Sequence, residues 1–82
     1  IGHLNLQFKK NTEKEDFLNL IKNRVFAMEI SHNNGKKDQH LKIKKNEWYW
    51  DIINDNYFQN TYKILEFRNT KIQDIQKCLK YF

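Results

Sequence analysis

The stretch Gln59–Phe67, QNTYKILEF, decides how the second half of this 82-residue chain folds. Asn60 and Thr61 are good helix-capping residues, and Ile64, Leu65 and Phe67 behind them make an apolar stripe. The segment is therefore expected to be a capped helix running through Phe67. After it, Thr70 with Gln73 three residues on forms a capping box, and Ile72, Ile75, Leu79 and Phe82 share one face of a last helix. Before it, in EWYWDIINDNYF (47–58), Trp48 pairs with Ile52 and Tyr49 with Ile53 at helical spacing. A helix is preferred there, although aromatic residues also favour a strand.

The first half reads differently. Leu4, Leu6 and Phe8 alternate with Asn5, Gln7 and Lys9, which predicts a strand with one apolar face. Thr12 and Glu15 form a capping box for a helix from about Glu13, with Phe17, Leu18, Leu20, Ile21 and Val25 as its stripe. Phe26, Met28 and Ile30 alternate as a second strand, Asn34-Gly35 signals a hairpin, and Leu41 and Ile43 mark a third strand. The order β-α-β-β-α-α predicts one α+β domain over residues 1–82, with helices packed on one face of an antiparallel sheet. The other face would be wet. It would present Asn5, Gln7, Lys9, Glu29, Ser31, His40, Lys42 and Lys44, a set rich in the amides and lysines that touch bases and phosphates. The lack of aromatics on that face argues against a base-stacking sheet.

Composition bounds the function. The chain carries fifteen basic and ten acidic side chains, a net charge of +5. The excess is +2 over residues 1–24, +3 over 25–46 and zero over 47–82, so it falls around the expected strands. A basic excess favours polyanions, nucleic acid before acidic membrane or acidic protein. A Lys-, Asn- and Ile-rich chain without proline also fits an AT-rich genome, in which case the lysines are a solvated surface. No apolar run is long enough for a membrane span, and no secretory signal is visible. Ile1 at the start suits a fragment, a processed product or an unusual start codon. The lone Cys78 cannot form an internal disulfide and is expected to be a small buried side chain.

The order of segments resembles the later part of a LAGLIDADG homing endonuclease repeat. The similarity spans about Leu4 to Phe82 and runs through LNLQF, EKEDFLNLIKN, a glycine hairpin, HLKIK, IINDNYF and TYKILEF. Thr61, Lys63, Glu66 and Phe67 match that family's Thr-x-Lys-x-x-Asp-Phe/Tyr motif, and Ile53, Tyr57 and Phe58 match the pattern before it. Gln59-Asn60 stands where the family has Pro-Leu. The family's namesake helix, which carries the catalytic acid and the dimer seam, has no counterpart here, since neither Gly2 nor Gly35 adjoins a Gly-(Asp/Glu)-Gly or Gly-x-Asp segment. Phosphodiester cleavage needs acidic residues holding a divalent metal, so the resemblance implies a binding half without a cleavage site. It implies a saddle of sheet on duplex DNA or structured RNA, with Asn5, Gln7, His40, Lys42 and Lys44 facing the groove. It further implies an organellar origin, with service in a mitochondrial ribosome or in RNA processing.

The expected nucleic-acid contacts are thus Asn5, Gln7, Lys9, Lys36, Lys37, His40, Lys42, Lys44 and Lys45, the last lysines flanking the hairpin. No cofactor and no metal are expected: His3, His32 and His40 lack ligand spacing with one another or with Cys78. Asp51 and Asp55, four apart, read as a solvated helix face. Trp48 is the expected core anchor and Trp50 the surface aromatic. The alternative class is a protein-interaction module, an inhibitor or a subunit of a larger complex, anchored by Trp50, Tyr57 and Tyr81. In either class an exposed apolar seam would call for a protein partner. A third option is an endonuclease whose missing helix another chain supplies.

Overall fold

Tyr62–Leu65, inside the stretch expected to be a helix, is a β-strand in the computed structural model, which describes residues 1–82. It pairs in parallel with Ala27–Ile30, in the register Ala27 to Tyr62 through Ile30 to Leu65. The elements in chain order are α1 (Gly2–Gln7), α2 (Asn11–Ile21), a 3-10 turn (Lys22–Arg24), β1 (Ala27–Ile30), α3 (Tyr49–Ile53), a second 3-10 turn (Asn56–Phe58), β2 (Tyr62–Leu65) and α4 (Ile72–Leu79). The class is α+β, but the sheet has two parallel strands in place of the expected antiparallel array.

Local chemistry explains the change at β2. Thr61 does not cap a helix: its hydroxyl donates to the Phe58 carbonyl at 2.7 Å and closes the preceding turn. Lys63 reaches back and donates to the carbonyls of Phe58, Gln59 and Thr61, satisfying the end of that turn as a cation does at a helix C-terminus. Tyr62 and Ile64 then alternate with Lys63 and Leu65, a period that suits a strand. The Tyr62 amide donates to Phe26 at 3.1 Å and the Glu66 amide to Ile30 at 3.1 Å, framing the ladder.

The expected first strand is α1. Leu4, Leu6 and Phe8 alternate over too few residues to distinguish periods, and Ile1, Leu4 and Phe8 also lie on one helical face. Ile1 and Leu4 pack on the core, and the Phe8 ring meets Phe17 at 5.4 Å. This helix occupies the edge of β1 that a hairpin would have used. The Ile1 nitrogen donates to the Glu29 carbonyl at 2.8 Å, and Asn33 Nδ2 donates to the Gly2 carbonyl at 2.8 Å. A side chain at position 2 would bring a Cβ within 2.7 Å of Ser31 Oγ and 3.2 Å of Asn33 Nδ2, so these polar side chains would have to shift to admit it.

The glycine turn forms, with Gly35 at φ +78°, but the third strand does not. His32 and Leu41 make a single antiparallel bridge with two 2.9 Å hydrogen bonds. Side chains take four amides of the loop: Gln39 Oε1 accepts from Asn34, Asn33 Oδ1 accepts from Gly35, and Asn34 Oδ1 accepts from Lys36 and Lys37. Such Asx turns compete with a ladder.

The core gathers Leu18, Met28, Ile30, Ile43, Tyr49, Ile52, Ile53, Phe58 and Cys78. The buried face of the sheet contributes Met28 and Ile30. Its other face leaves Tyr62 and Ile64 exposed, with Phe26 just before β1. The helix of EWYWDII is present as expected, and its central anchor is Tyr49, 1% exposed, in place of Trp48. In α2 only Leu18 of the expected stripe is fully buried, while Leu20 is 81% exposed. Glu13 accepts from the Lys10 amide at the start of α2, two residues earlier than the expected Thr12–Glu15 box. In α4, Lys71 holds the cap position expected of Thr70. Ile72, Leu79 and the following Phe82 stay exposed, and Cys78 is the residue that reaches the core, as expected of it.

The Tyr49 hydroxyl accepts from the Lys44 amide at 2.8 Å and donates to the Lys44 carbonyl at 3.4 Å. Burial pushes its ionisation up to about 12, against the lowering effect of the Lys44 hydrogen bond. Tyr49→Phe should lower stability by about 1–3 kcal/mol, because it strands a Lys44 amide in a part-buried site. Urea unfolding should show a lower midpoint at unchanged slope. His32, whose ring lies edge-on to Tyr49 at 6.1 Å, resists protonation because burial disfavours its cation; Glu47 opposes that effect and Lys44 adds to it. The folded state therefore binds this proton less readily than the unfolded chain. The contribution of His32 is complete above about pH 6.5 and is lost as pH falls below it. His32→Gln should flatten that part of the stability–pH curve measured by urea unfolding.

Candidate nucleic-acid interface

The strongest concentration of ligand-binding chemistry lies between α3 and α4. The groove there holds about 890 Å³ and is lined by Lys45, Asn46, Trp50, Asn54, Gln73, Gln76, Lys77, Lys80 and Tyr81. Three lysines, four amides and two aromatics face it, and no carboxylate does.

Each part follows from local sequence. Gln73, the adjacent Gln76 and Lys77, and Lys80 at the C-cap follow one another by a helical turn and form one polar face of α4. Trp50 is turned toward α4 because its indole Nε1 donates to the Lys44 carbonyl at 2.8 Å. Its ring then meets Tyr81 at 6.2 Å and Phe82 at 5.2 Å, both edge-on. In an edge-on pair the edge of one ring covers a face of the other, so a flat ligand would stack on the faces that remain exposed. Lys45 follows directly on the clasped Lys44.

Among all Lys and Arg side chains, Lys42 alone makes a salt bridge, to Asp74 at 3.2 Å. Lys45, Lys77 and Lys80 have no carboxylate partner, so their charges are available to an anion. A smaller cavity of about 230 Å³ beside the groove brings Lys42, Lys44, Lys45 and Lys77 to one place, above Cys78.

The expected sheet face does not exist, and its residues scatter. Asn5 is committed inside the fold: its amide nitrogen donates to Asn33 Oδ1 at 2.9 Å and its oxygen accepts from Lys14 Nζ at 2.9 Å. Gln7 and Lys9 are exposed at the end of α1 and just beyond, where Lys9 donates to the Gly35 carbonyl at 2.5 Å. Ser31 is buried, and His40 is 6% exposed against Asp38 and Glu66. Lys36 and Lys37 keep exposed side chains on the glycine loop. Of the nine expected contacts, only Lys45 lines the groove; Lys42 and Lys44 border the adjoining cavity. Lys77, Lys80 and Gln76 are not among the expected contacts, and Gln73 is expected only as part of a capping box. Their helical spacing was the available signal, hidden by a half-chain charge of zero. Trp50 and Tyr81 were singled out, and both stand in the groove.

Comparison with protein-family models, curated proteins and solved structures finds no match to this chain.

Cys78 lies under this surface, 2% exposed, with its thiol against the Ile43 carbonyl at 3.8 Å. Burial pushes the thiol's ionisation up, while Lys42 and the Ile43 contact oppose this. Its reaction with a disulfide reagent at pH 8 should be at least about a hundredfold slower in the native protein than in denaturant. A native rate close to the denatured one would mean that α4 does not stay docked.

Proposed function

We propose that the chain is a nucleic-acid-binding module that takes an unpaired stretch of DNA or RNA in the α3–α4 groove. The observation that carries this reading is the coincidence of three unpaired lysines, four amides and the Trp50–Tyr81 pair in one groove without a carboxylate. Lysines track phosphates, aromatic faces accept stacked bases of any sequence, and amides add hydrogen bonds to base edges. The resemblance to LAGLIDADG homing endonucleases suggested the same ligand class, but the antiparallel saddle it implies is not the fold of this chain, so the reading rests on the groove. The contact surface moves from a saddle-shaped sheet to a helical groove, and with it the substrate moves from duplex to unpaired strand.

One observation favours a protein partner on a separate surface. Phe26, Tyr62 and Ile64 are 76%, 65% and 48% exposed, with the Phe26 and Tyr62 rings 5.2 Å apart on the uncovered side of the sheet. A two-stranded parallel sheet is normally covered on both faces. Such an exposed apolar patch supports a subunit role alongside nucleic-acid binding.

Anisotropy with labelled single-stranded and duplex oligonucleotides, and with heparin as a non-nucleic polyanion, tests the proposal. Single strands should bind best, with affinity falling by a log–log slope near −0.7 per phosphate contacted as salt rises. Lys45→Glu/Lys77→Glu/Lys80→Glu should weaken binding at least about tenfold with an unchanged circular dichroism spectrum. Tyr81→Ala, which removes a groove ring, should cost about 1–3 kcal/mol of binding if a base stacks there. Equal affinity for heparin, or no effect of the triple substitution, would sink the groove reading.

A further inference from the structure

The fold brings together three metal-ligating side chains that are far from obvious in the sequence: His3 from α1, and Asp38 and His40 from the loop that leads to Leu41. Nε2 of His3 lies 3.3 Å from Asp38 Oδ2, and Nε2 of His40 lies 3.0 Å from Asp38 Oδ1. One donor atom from each of the three residues falls within 4.8 Å of the others. The two imidazole rings stand nearly perpendicular, 85° apart, with centroids at 6.0 Å. We propose that His3, Asp38 and His40 form a binding site for a divalent first-row transition metal of the zinc class, with two imidazole nitrogens and one carboxylate oxygen as ligands.

Geometry supports this first. Four-coordinate zinc holds nitrogen and oxygen ligands at about 2.0–2.2 Å, which places neighbouring ligand atoms roughly 3.3–3.5 Å apart. The His3 Nε2–Asp38 Oδ2 and His40 Nε2–Asp38 Oδ1 separations, 3.3 and 3.0 Å, are close to that edge length; they run to different carboxylate oxygens, so the Asp38 carboxylate must turn to offer one of them to both imidazoles. His3 and Asp38 are 71% and 39% exposed in their side chains, so both can rotate the last few tenths of an ångström around an ion.

His40 is held as a ligand is held. Its Nδ1 faces the Glu66 carbonyl at 3.3 Å and the Glu66 carboxylate at 3.4 Å. A proton on Nδ1 satisfies these acceptors and leaves the Nε2 lone pair pointing at Asp38. This is the outer-shell arrangement that fixes tautomer and orientation in metal-binding histidines. The Arg68 amide donates to the His40 carbonyl at 2.9 Å, and His40 keeps a left-handed φ of +50°, which is uncommon for a residue other than glycine. The ring is thus locked before any ion arrives.

Charge and chemistry select the ion. Asp38 and Glu66 pair with no lysine or arginine; the Ile1 ammonium is the cation near Glu66, and Asp38 faces only the two imidazoles. Two imidazoles with a single carboxylate suit zinc and its neighbours in the first transition row better than magnesium or calcium, which prefer oxygen ligands. Three protein ligands leave one position open, and His3 and His40 also line a cleft of about 360 Å³ walled by Phe17, Leu18, Ile21 and Met28.

The competing description is a metal-free His–Asp–His hydrogen-bond chain, and a titration separates the two. Zinc should bind the full chain at one equivalent by calorimetry. Cobalt as a probe should give the intense visible bands of a four-coordinate site, bleached by added zinc. His3→Ala and Asp38→Asn, which alter exposed side chains, should each lower zinc affinity at least about tenfold. Glu66→Gln should lower it by about 10–100-fold through His40. His32→Gln, the remaining histidine, should leave it unchanged. His40→Ala is checked for folding by circular dichroism before its titration. Substoichiometric zinc, a six-coordinate cobalt spectrum, or affinity indifferent to His3→Ala and Asp38→Asn would overturn the proposal and leave the hydrogen-bond chain.

Discussion

The Tyr49 hydroxyl engages both backbone polar groups of Lys44, and the second half of the molecule is organised around that contact. Tyr49 is among the two most completely buried large side chains, and its ring touches His32, Trp48 and Trp50. A phenol can be buried only if its oxygen finds partners. Here those partners are the N–H and C=O of a loop residue that has no ladder to join. Trp50 adds a second donor to the same carbonyl. The loop Lys42–Asn46 is thereby drawn onto α3, its lysines are presented outward, and Ile43 is pressed into the core beside Cys78. The basic groove is a consequence of core packing.

A polar network does the same work in the first half. Lys14 is 3% exposed, yet no carboxylate approaches it. Its ammonium group donates to Asn5 Oδ1 and Asn11 Oδ1, at 2.9 and 3.4 Å, and lies 3.9 Å over the Trp48 ring. Burial lowers its affinity for a proton, and nearby Lys9 adds to this. Two amide oxygens and an aromatic face offset the desolvation of the cation, whose ionic hydrogen bonds are stronger than neutral ones. Asn5 continues to Asn33, and Asn33 to Gly2 and Gly35. The amides that a sequence reader assigns to base recognition are consumed in holding α1 against the glycine loop.

Two chemically opposite surfaces result. The α3–α4 groove gathers cations, amides and rings without an acid. The His3–Asp38–His40 cluster gathers imidazoles and carboxylates without a lysine. The first depends on α4 docking through Cys78, the second on α1 lying along the edge of β1. Neither surface uses the sheet face that the charge distribution pointed to, because that sheet has only two strands and its exposed side is apolar.

Some features were legible in the sequence itself. The α+β class, the helix at Tyr49–Ile53, the final helix, the glycine turn and the buried Cys78 all follow from local spacing and turn chemistry. These are properties of a few neighbouring residues and need no distant partner. The short segments Leu4–Phe8 and Tyr62–Leu65 went the other way. Each is too brief for its period to decide between helix and strand, so long-range hydrogen bonds decided instead: Glu29 to Ile1 in the first, Phe26 and Ile30 to β2 in the second. The meeting of His3 with Asp38 and His40, thirty-five residues or more along the chain, was equally out of reach of spacing arguments. Sequence determined which segments were amphipathic and where turns fell; tertiary structure decided which apolar face found a partner, because burial is awarded between elements and not within them.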